Sequence, residues 1–364
     1  MLTKKICCFH LLNDYSGSPQ VLSTVLSMMT QMGYNVRLNT SKTKGFLSGI
    51  EGVKTDTTIY RWKRKEFRQV VLLLLTQIQI FIKSLFCYRK YDIFYINTIL
   101  PFGAAIAGKL LGKKIVYHVH EKYVTPNLMQ RFAAWVMKCT ATQVIFVSNY
   151  LQQQYLDFYK AKTAVIYNCL PKTFIATADA YVQQCKTEKN NSPTVLMISS
   201  LKEFKGVFQF ALLAQRLPKI NFCLVVNASI EEVELFQQTY GVSNLSVYSS
   251  QSDVYLFYQQ AHLLMNLSLP QLWIETFGLT LLEGMRYGLP IIAPTVGGPI
   301  ELVQDGLNGF LVNAENLDLL QEKILQILED KDLYSRFSYE SLQRAKLFDQ
   351  NVMYRQIETI LNEV

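Results

Sequence analysis

The chain has 364 residues and a mass of 41.9 kDa, a length that suits two domains of roughly 150–200 residues each. Half of the residues are hydrophobic, 12% are aromatic and 18% are charged, which excludes a disordered tail, a collagen-like fibre and a disulfide-stapled miniprotein. The seven cysteines form no C-x-x-C pair and have no histidine at ligand spacing. We therefore expect reduced thiols and no structural zinc.

The charge is divided unevenly along the chain. Residues 1–172 hold 23 Lys/Arg against 7 Asp/Glu, whereas residues 173–364 hold 13 against 21. A basic half favours an anionic partner such as nucleic acid, anionic lipid or a phosphorylated substrate. No nucleic-acid-binding motif accompanies the charge, so we expect no nucleic-acid partner. A solvated basic surface without a partner is the alternative.

The amino terminus begins with two lysines followed by an apolar run, which Asn13 and Asp14 interrupt. A signal peptide needs a longer apolar stretch and a small-residue cleavage site. The pattern therefore predicts a first buried strand in a cytoplasmic protein.

The most hydrophobic stretch, residues 70–86, contains Gln77, Gln79 and Lys83, and a membrane span needs about 20 apolar residues. We therefore expect no transmembrane helix. A basic, tryptophan-containing edge precedes this stretch: Arg61, Trp62, Lys63, Arg64 and Lys65. Such an edge beside an apolar helix can lie on an anionic bilayer, which predicts peripheral contact with the inner membrane face. The alternative is a buried helix with a solvated basic loop.

Strand-like and helix-like runs alternate through residues 1–172. The strand-like runs are residues 6–12, 34–38, 93–96, 115–119, 143–147 and 164–167; the helix-like runs are 19–32, 102–111 and 149–159. Strands alternating with helices indicate a parallel sheet covered on both faces. This region is predicted to be the first domain, over residues 1–172.

Residues 173–192 are polar and lack periodicity, which predicts an interdomain linker. The alternation then restarts, with strand-like runs at residues 195–199, 222–226, 245–248, 263–267 and 290–293. We expect a second parallel α/β domain over residues 193–349. Residues 350–364 form an amphipathic pattern, which predicts a helix that crosses back to the first domain.

Two carboxylates, Glu275 and Glu283, are eight positions apart in the most informative segment. Phe277, Gly278 and Leu279 begin a helix between them. The unpaired N–H groups and dipole of a helix amino terminus favour a phosphate. A carboxylate on either side of that terminus can accept hydrogen bonds from hydroxyl groups. This layout suits a nucleotide sugar.

Three runs carry a family resemblance: E-T-F-G-L-T-L-L-E at 275–283, G-L-P-I-I-A at 288–293, and G-G-P-I-E-L-V-Q-D-G-L-N-G-F-L-V at 297–312. With the Lys205-Gly206 motif, they resemble the retaining E-x7-E glycosyltransferases of family 4. The resemblance covers nearly the whole chain. It implies a GT-B fold, α/β with two Rossmann-like, doubly wound parallel sheets facing across a cleft. It also implies a nucleotide-sugar donor bound by the second domain, an acceptor bound by the first domain, and no metal or cofactor. The basic first half favours a glycan or lipid-linked acceptor of polysaccharide or envelope glycan synthesis.

The resemblance assigns roles in the second domain. Glu275 should accept hydrogen bonds from the donor sugar hydroxyls, and Glu283 should hold the nucleotide ribose. Lys205 should neutralise the diphosphate as charge develops on the leaving group. The family usually has an arginine where this chain has Ser200, for which Lys202 is a substitute as a point charge only. The donor-binding set is Gly17, Ser200, Lys202, Lys205, Glu275, Thr276, Phe277, Gly278, Leu279 and Glu283.

In the first domain, Gly17 lies in the loop after the first strand, where the family often has two glycines; here it stands between Ser16 and Ser18. His118 and His120 lie at the end of a strand and on one of its faces. His120 matches the family's active-site histidine, which implies a catalytic role with Lys205 and Glu275, whereas His118 is open to a structural role.

The remaining motif candidates argue against a metal site and against a dehydrogenase. Asp330-Lys331-Asp332 has the form of a metal-binding D-x-D, but no strand precedes it, which indicates solvated surface. No G-x-G-x-x-G follows the first strand, and no G-x-S-x-G or P-loop occurs. A retaining, metal-independent glycosyltransferase is the first hypothesis. A degenerate nucleotide-sugar or glycan binding protein is the second.

Overall fold

The computed structural model describes residues 4–61, 66–124, 126–155, 161–184, 192–251 and 253–364. The chain divides into two compact units. The first comprises residues 1–168 and 351–364, and the second comprises residues 169–350.

The first unit is built on a sheet of seven parallel strands in the order β3-β2-β1-β4-β5-β6-β7. Its elements are β1 Lys5–Phe9, α1 Gly17–Gln31, β2 Asn35–Ser41, β3 Lys54–Thr58, α2 Glu66–Phe86, β4 Ile93–Asn97, α3 Phe102–Leu110, β5 Lys114–Val119, α4 Leu128–Thr140, β6 Gln143–Phe146, α5 Asn149–Gln153, β7 Lys162–Val165 and, at the end of the chain, α14 Gln350–Glu363. All residues of β4 and β6 are buried, as expected of parallel strands covered on both faces.

The second unit has a sheet of six parallel strands in the order β10-β9-β8-β11-β12-β13. Its elements are α6 Lys172–Gln184, β8 Thr194–Ser200, α7 Val207–Arg216, β9 Asn221–Asn227, α8 Ile230–Tyr240, β10 Leu245–Tyr248, α9 Tyr255–Gln260, β11 Leu263–Met265, α10 Leu279–Arg286, β12 Ile291–Ala293, α11 Pro299–Leu302, β13 Gly309–Leu311, α12 Leu317–Glu329 and α13 Lys331–Ala345. The core lies between the sheet and its helices, with Phe210, Phe222 and Phe337 fully buried.

Strand order reverses at one point in each sheet, and these points position the candidate sites. In the first unit the reversal lies between β1 and β4, and in the second it lies between β8 and β11. Ligands of open parallel sheets bind beyond the carboxyl ends of the strands at such a point.

The predicted linker, residues 173–192, is wrong in part because α6 occupies residues 172–184. Phe174 is only 5% exposed, and its ring lies 5.2 Å from that of Tyr255 and 5.7 Å from that of Tyr287. The helix buries few side chains and leaves a polar surface, so its sequence has weak periodicity. The helix expected over residues 149–159 ends at Gln153, and residues 156–160 lie outside the described residues.

Helix α14 packs on the first unit although it ends the chain. The Lys4 ammonium donates to the Leu361 carbonyl at 2.8 Å, and the Tyr34 hydroxyl donates to Asn362 Oδ1 at 3.0 Å. Ile357 and Leu361 are fully buried. The apolar face of α14 is therefore part of the core of the first unit.

Candidate active site

The turn between β8 and α7 brings Lys205 to the carboxyl end of the second sheet. Residues Glu203–Lys205 form one 3₁₀ turn, which ends at Gly206 with a φ of +75°. A Cβ on Gly206 would lie 2.1 Å from the Leu267 carbonyl oxygen. The turn therefore needs glycine for its left-handed backbone and for its close approach to the chain after β11.

Lys205 and Glu275 form an ion pair at this end of the sheet. The Lys205 Nζ lies 2.7 Å from Glu275 Oε2, and their side chains are 16% and 19% exposed. The Lys205 ammonium also lies 5.3 Å from the ring centroid of Trp273, which stacks on Phe204 at 5.2 Å. The two predicted charges are thus brought together, and the Trp273 ring lies beside the lysine.

Glu275 is held in its ionised form. Burial opposes ionisation, but the Lys205 ammonium, the Asn266 side chain and the Phe277 backbone together outweigh it, so the pKa of Glu275 lies below its usual range. A carboxylate in this state accepts hydrogen bonds and does not donate them. Glu275 is therefore suited to binding hydroxyl groups.

Two consecutive glycines pack against the backbone around Glu275. A Cβ on Gly297 would lie 2.3 Å from the Glu275 carbonyl oxygen, and one on Gly298 would lie 2.1 Å from that of Thr276. The Gly298 N–H donates to the Glu275 carbonyl at 2.8 Å. The glycine pair thus fixes the backbone that carries Glu275.

Helix α10 begins directly after this segment. Gly278, with a φ of +97°, precedes its first residue Leu279. Thr276 and Phe277 are buried, at 8% and 2% exposure, so they contribute backbone and packing at this position. The first N–H groups of a helix have no partner within it and attract anions. The helix start therefore provides a place for phosphate two to four residues from Glu275.

Glu283 lies within α10 and is 6% exposed. Its Oε2 accepts a hydrogen bond from the Tyr258 hydroxyl at 2.5 Å. Tyr258 stacks on Tyr287 with ring centroids 5.5 Å apart, and burial and the Glu283 charge raise the pKa of Tyr258 well above its usual value. Tyr258 is therefore a neutral donor that orients Glu283.

Ser200 and Lys202 lie at the start of the β8–α7 turn. Ser200 ends β8, and its carbonyl accepts from the Lys202 N–H at 2.8 Å. Lys202 is exposed. The structure therefore places these residues next to Lys205 along the turn, whereas Glu275 pairs with Lys205.

In the first unit, His120 belongs to a buried chain of hydrogen bonds. Its Nε2 donates to Asn97 Oδ1 at 2.8 Å, and Asn97 Nδ2 donates to His10 Nδ1 at 3.0 Å. The His118 ring lies 4.3 Å from that of His120 and bonds the Tyr95 hydroxyl at 2.8 Å. His118 is fully buried, which favours a structural role for it.

All three histidines are neutral. Burial lowers the pKa of His10 to about 4 and that of His118 to about 3. Burial also lowers the pKa of His120 well below its usual value, and His118 and His10 lower it further. Burial shifts the pKa of Glu121 in the other direction and raises it to about 7. The Ile99 and His120 N–H groups donate to this carboxylate and oppose the shift only in part.

Gly17 is the first residue of α1 and is exposed. Nothing lies within 4 Å of a Cβ placed on it, and its φ is not in the left-handed region. The fold therefore does not require glycine here, and close approach of a ligand is the remaining physical reason for it.

The sequence did not point to Asn97, His10 or Tyr258. Asn97 ends β4 and His10 follows β1. These two strands flank the reversal of strand order, so this topology was a signal for both residues. Tyr258 lies in the run Y-L-F-Y at 255–258, and nothing in that run distinguishes it from its aromatic neighbours. In the described part of the chain, no group of three or more His, Cys, Asp or Glu side chains could hold a metal ion.

Asp330 and Asp332 have a structural explanation. Asp330 Oδ1 accepts from the Asp332 and Leu333 N–H groups and caps α13. The proposed membrane edge is only partly described: Arg61 is exposed, and Trp62, Lys63, Arg64 and Lys65 lie outside the described residues. The six described cysteines are free thiols.

Two known synthases resemble this chain over short segments. A sucrose synthase of Thermosynechococcus vestitus is 42% identical over 75 residues, which are 20% of this chain and 9% of that protein. A sucrose-phosphate synthase of Spinacia oleracea is 32% identical over 109 residues, 30% of this chain and 10% of that protein. The chain therefore matches about a tenth of the length of these relatives.

The fold and the family are supported by matches over nearly the whole chain. Anabaena HepE, solved with UDP and glucose, superposes with a TM-score of 0.79 over 99% of this chain and 100% of that one, at 21% identity. Residues 15–173 match the family model Glycosyltransferase Family 4, and residues 182–344 match the model Glycosyl transferases group 1. The chain therefore belongs to the family 4 glycosyltransferases and has the GT-B fold.

Proposed function

We propose that this protein is a retaining glycosyltransferase that transfers a sugar from a nucleotide-diphosphate sugar to a glycan or lipid-linked acceptor. The observation that carries the proposal is the ion pair between Lys205 and Glu275, 2.7 Å apart and mostly buried, beside the amino terminus of α10. A cation, a carboxylate and a helix amino terminus are the groups that a diphosphate and an adjoining sugar need.

The residues act through charge and hydrogen bonding. Lys205 stabilises the negative charge that develops on the leaving diphosphate, and the N–H groups at the start of α10 donate hydrogen bonds to phosphate oxygens that carry another part of that charge. Glu275, held ionised, binds donor sugar hydroxyls, and Glu283, oriented by Tyr258, binds ribose hydroxyls. His120 is neutral and lines the sugar site. No step requires a metal ion, so the reaction is metal-independent.

The donor nucleotide proposed is UDP, because HepE was solved with UDP and with UDP-glucose. We propose an acceptor in bacterial-type polysaccharide or envelope glycan synthesis. The support is the basic first unit, which suits a phosphorylated or lipid-linked acceptor.

Incubation with a panel of UDP sugars and lipid-linked acceptors tests this proposal. We expect transfer of one sugar with retention of its anomeric configuration, read from the coupling constant of the product's anomeric proton. Glu275→Gln keeps the shape of the side chain and removes its charge, and it should abolish transfer. Inverted product would contradict the retaining mechanism.

A catalytically degenerate binding protein is the second candidate, and Ser200 in place of the family's arginine favours it. The two candidates differ in turnover. UDP-sugar binding by calorimetry, with no product from any donor in the panel, would establish the second candidate.

We also infer a cytoplasmic location with peripheral contact at the inner membrane face, through the basic edge formed by Arg61, Trp62, Lys63, Arg64 and Lys65. Each basic residue near an anionic bilayer contributes about 1 kcal/mol. Replacing the four basic residues with serine should weaken sedimentation with anionic vesicles, and high salt should release the protein. Equal recovery with anionic and neutral vesicles would contradict this contact.

A further inference from the structure

Helix α2 exposes many of its large apolar side chains. Large apolar residues recur at every fourth position on one face: Val70, Leu74, Ile78, Ile82 and Phe86, each between 41% and 73% exposed. By length and composition alone, residues 68–86 qualify as a candidate membrane span, and only 22% of that window is buried.

The opposite face of α2 buries small and polar side chains together with Ile80, which is 1% exposed. Thr76 and Ser84 are fully buried, and Gln77 is 4% exposed. The Gly103 N–H donates to Gln77 Oε1 at 2.9 Å, and a Cβ on Gly103 would lie 2.4 Å from the Gln77 carbonyl oxygen. Because α2 is packed this closely on α3, it lies along its own unit and does not cross a bilayer.

Helix α4 exposes a second set of apolar side chains, on the other side of α3 from α2. Leu128, Phe132 and Trp135 are 84%, 41% and 58% exposed, and their spacing places them on one face of the helix. The connections β3–α2–β4, β4–α3–β5 and β5–α4–β6 all advance in one direction along the sheet. Right-handed crossovers therefore put α2, α3 and α4 on the same side of it. We call the exposed sides of α2 and α4 the α2–α4 face.

Most charges in this part of the chain are positive. Residues 68–140 contain ten Lys/Arg and two Asp/Glu. Glu121 is one of the two and is buried, which leaves Asp92 as the other. Arg68, Arg131 and Lys138 are exposed on α2 and α4 themselves. A second copy of the chain would bring like charges together across such a face, whereas an anionic surface would neutralise them.

We propose that the α2–α4 face docks on an anionic lipid surface. Helices α2 and α4 lie in the plane of the interface, their apolar side chains enter the boundary between headgroups and acyl chains, and their basic residues contact the headgroups. Trp135 lies at headgroup depth, as tryptophan does at membrane interfaces. The proposal deepens the membrane contact proposed above, because it names the surface that enters the lipid, and it rests on that function.

Vesicle sedimentation with matched variants tests the face. The double variant Ile78→Gln/Ile82→Gln should bind phosphatidylglycerol-containing vesicles about tenfold more weakly than the wild type, because it removes buried apolar surface. Leu235→Gln/Leu256→Gln is the matched control, because both leucines are helical and more than 60% exposed in the second unit. This control should bind as the wild type does. Equal binding by the Ile78/Ile82 variant would overturn the proposal.

Trp135 gives a second readout. In a Trp62→Phe/Trp273→Phe background it is the single tryptophan left of three. Phosphatidylglycerol brominated on its acyl chains should quench its fluorescence, and phosphatidylcholine vesicles should leave it unchanged. Absence of quenching with bound vesicles would overturn the proposed orientation.

Two further measurements distinguish this proposal from a dimer interface and from the proposed transferase function. Light scattering that showed a dimer dissociated by Ile78→Gln/Ile82→Gln, with vesicle binding intact, would overturn the lipid surface in favour of a second copy. UDP binding by calorimetry, which uses other residues, should be unchanged in that variant. Vesicle binding without UDP binding would support the face and contradict the proposed transferase alone.

Discussion

Lys205 and Glu275 are the residues whose removal should affect turnover most. Lys205→Ala and Glu275→Ala should each lower kcat at least ~100-fold, as loss of a preorganised charged contact typically does, while circular dichroism remains unchanged. Arg216→Ala is the matched control. Arg216 forms an ion pair with Asp318 at 2.6 Å in the same unit, and this pair is far more exposed than that of Lys205 and Glu275. Wild-type turnover in either site variant would contradict the proposed site.

Glu121 should make stability depend on pH. Its pKa is about 7 in the folded protein against a usual 4.5, so between these values the folded state keeps a proton that the unfolded state has released. The stability that Glu121 contributes is therefore present below pH 4.5 and is lost as the pH rises through about 7.

The measurement is the difference in free energy of unfolding between the wild type and Glu121→Gln, from urea titrations at about pH 5 and pH 8. The wild type should lose on the order of 3 kcal/mol relative to the variant over that range. Glu234→Gln, at an exposed glutamate of α8, provides the control. A difference in free energy of unfolding that stays constant between the two pH values would contradict the raised pKa of Glu121.

The residue types that carry charge were predictable, whereas their partners were not. Motif spacing pointed to Lys205 and Glu275 because both lie in the same short stretches in which the family resemblance lies. Asn97 and Tyr258 come from other elements, and their hydrogen bonds depend on strand order and helix packing. The neighbouring residues in the sequence therefore do not predict the hydrogen bonds of Asn97 or Tyr258.

Two glycines of the strand–helix turns should respond differently to alanine. Gly206 has a left-handed backbone and a Cβ would lie 2.1 Å from the Leu267 carbonyl, so Gly206→Ala should destabilise the protein and displace Lys205. Gly17 has open space and ordinary backbone, so Gly17→Ala should leave the melting temperature unchanged. If the Gly17 backbone approaches the donor, the variant should still raise KM for the donor. Loss of stability in Gly17→Ala would contradict this account.

At the scale of elements, buried strands were predictable and unusual surfaces were not. Strands β4 and β6 lie in the interior, so their sequences are continuously apolar. Strand β3 pairs with β2 at the edge of the sheet and reads K-T-D-T-T, which lacks that signal. Helix α2 buries Thr76, Gln77 and Ser84 beside Ile80 and exposes many of its other apolar residues, so hydropathy alone did not distinguish a core helix from an interfacial one.

For the whole molecule, we expect activity to survive EDTA. The chemistry proposed for Lys205 and the start of α10 supplies positive charge to the diphosphate without a metal ion. The assay is sugar transfer before and after chelation, with magnesium or manganese added back. Loss of transfer on chelation, restored by either ion, would contradict metal independence.

Helix α14 should stabilise the first unit although it is the last element of the chain. Leu361 is fully buried there, and its carbonyl accepts from Lys4, which adjoins β1. Leu361→Ala should lower the free energy of unfolding by about 2–5 kcal/mol, the usual cost of truncating a buried leucine. Val352→Ala, on the same helix but 49% exposed, should cost far less.

Hydrogen exchange should show faster exchange of β1 and β2 amides in Leu361→Ala, with β8 and β9 unchanged. Faster exchange confined to β8 and β9 would contradict the assignment of α14 to the first unit, because the packing of its apolar face predicts the opposite.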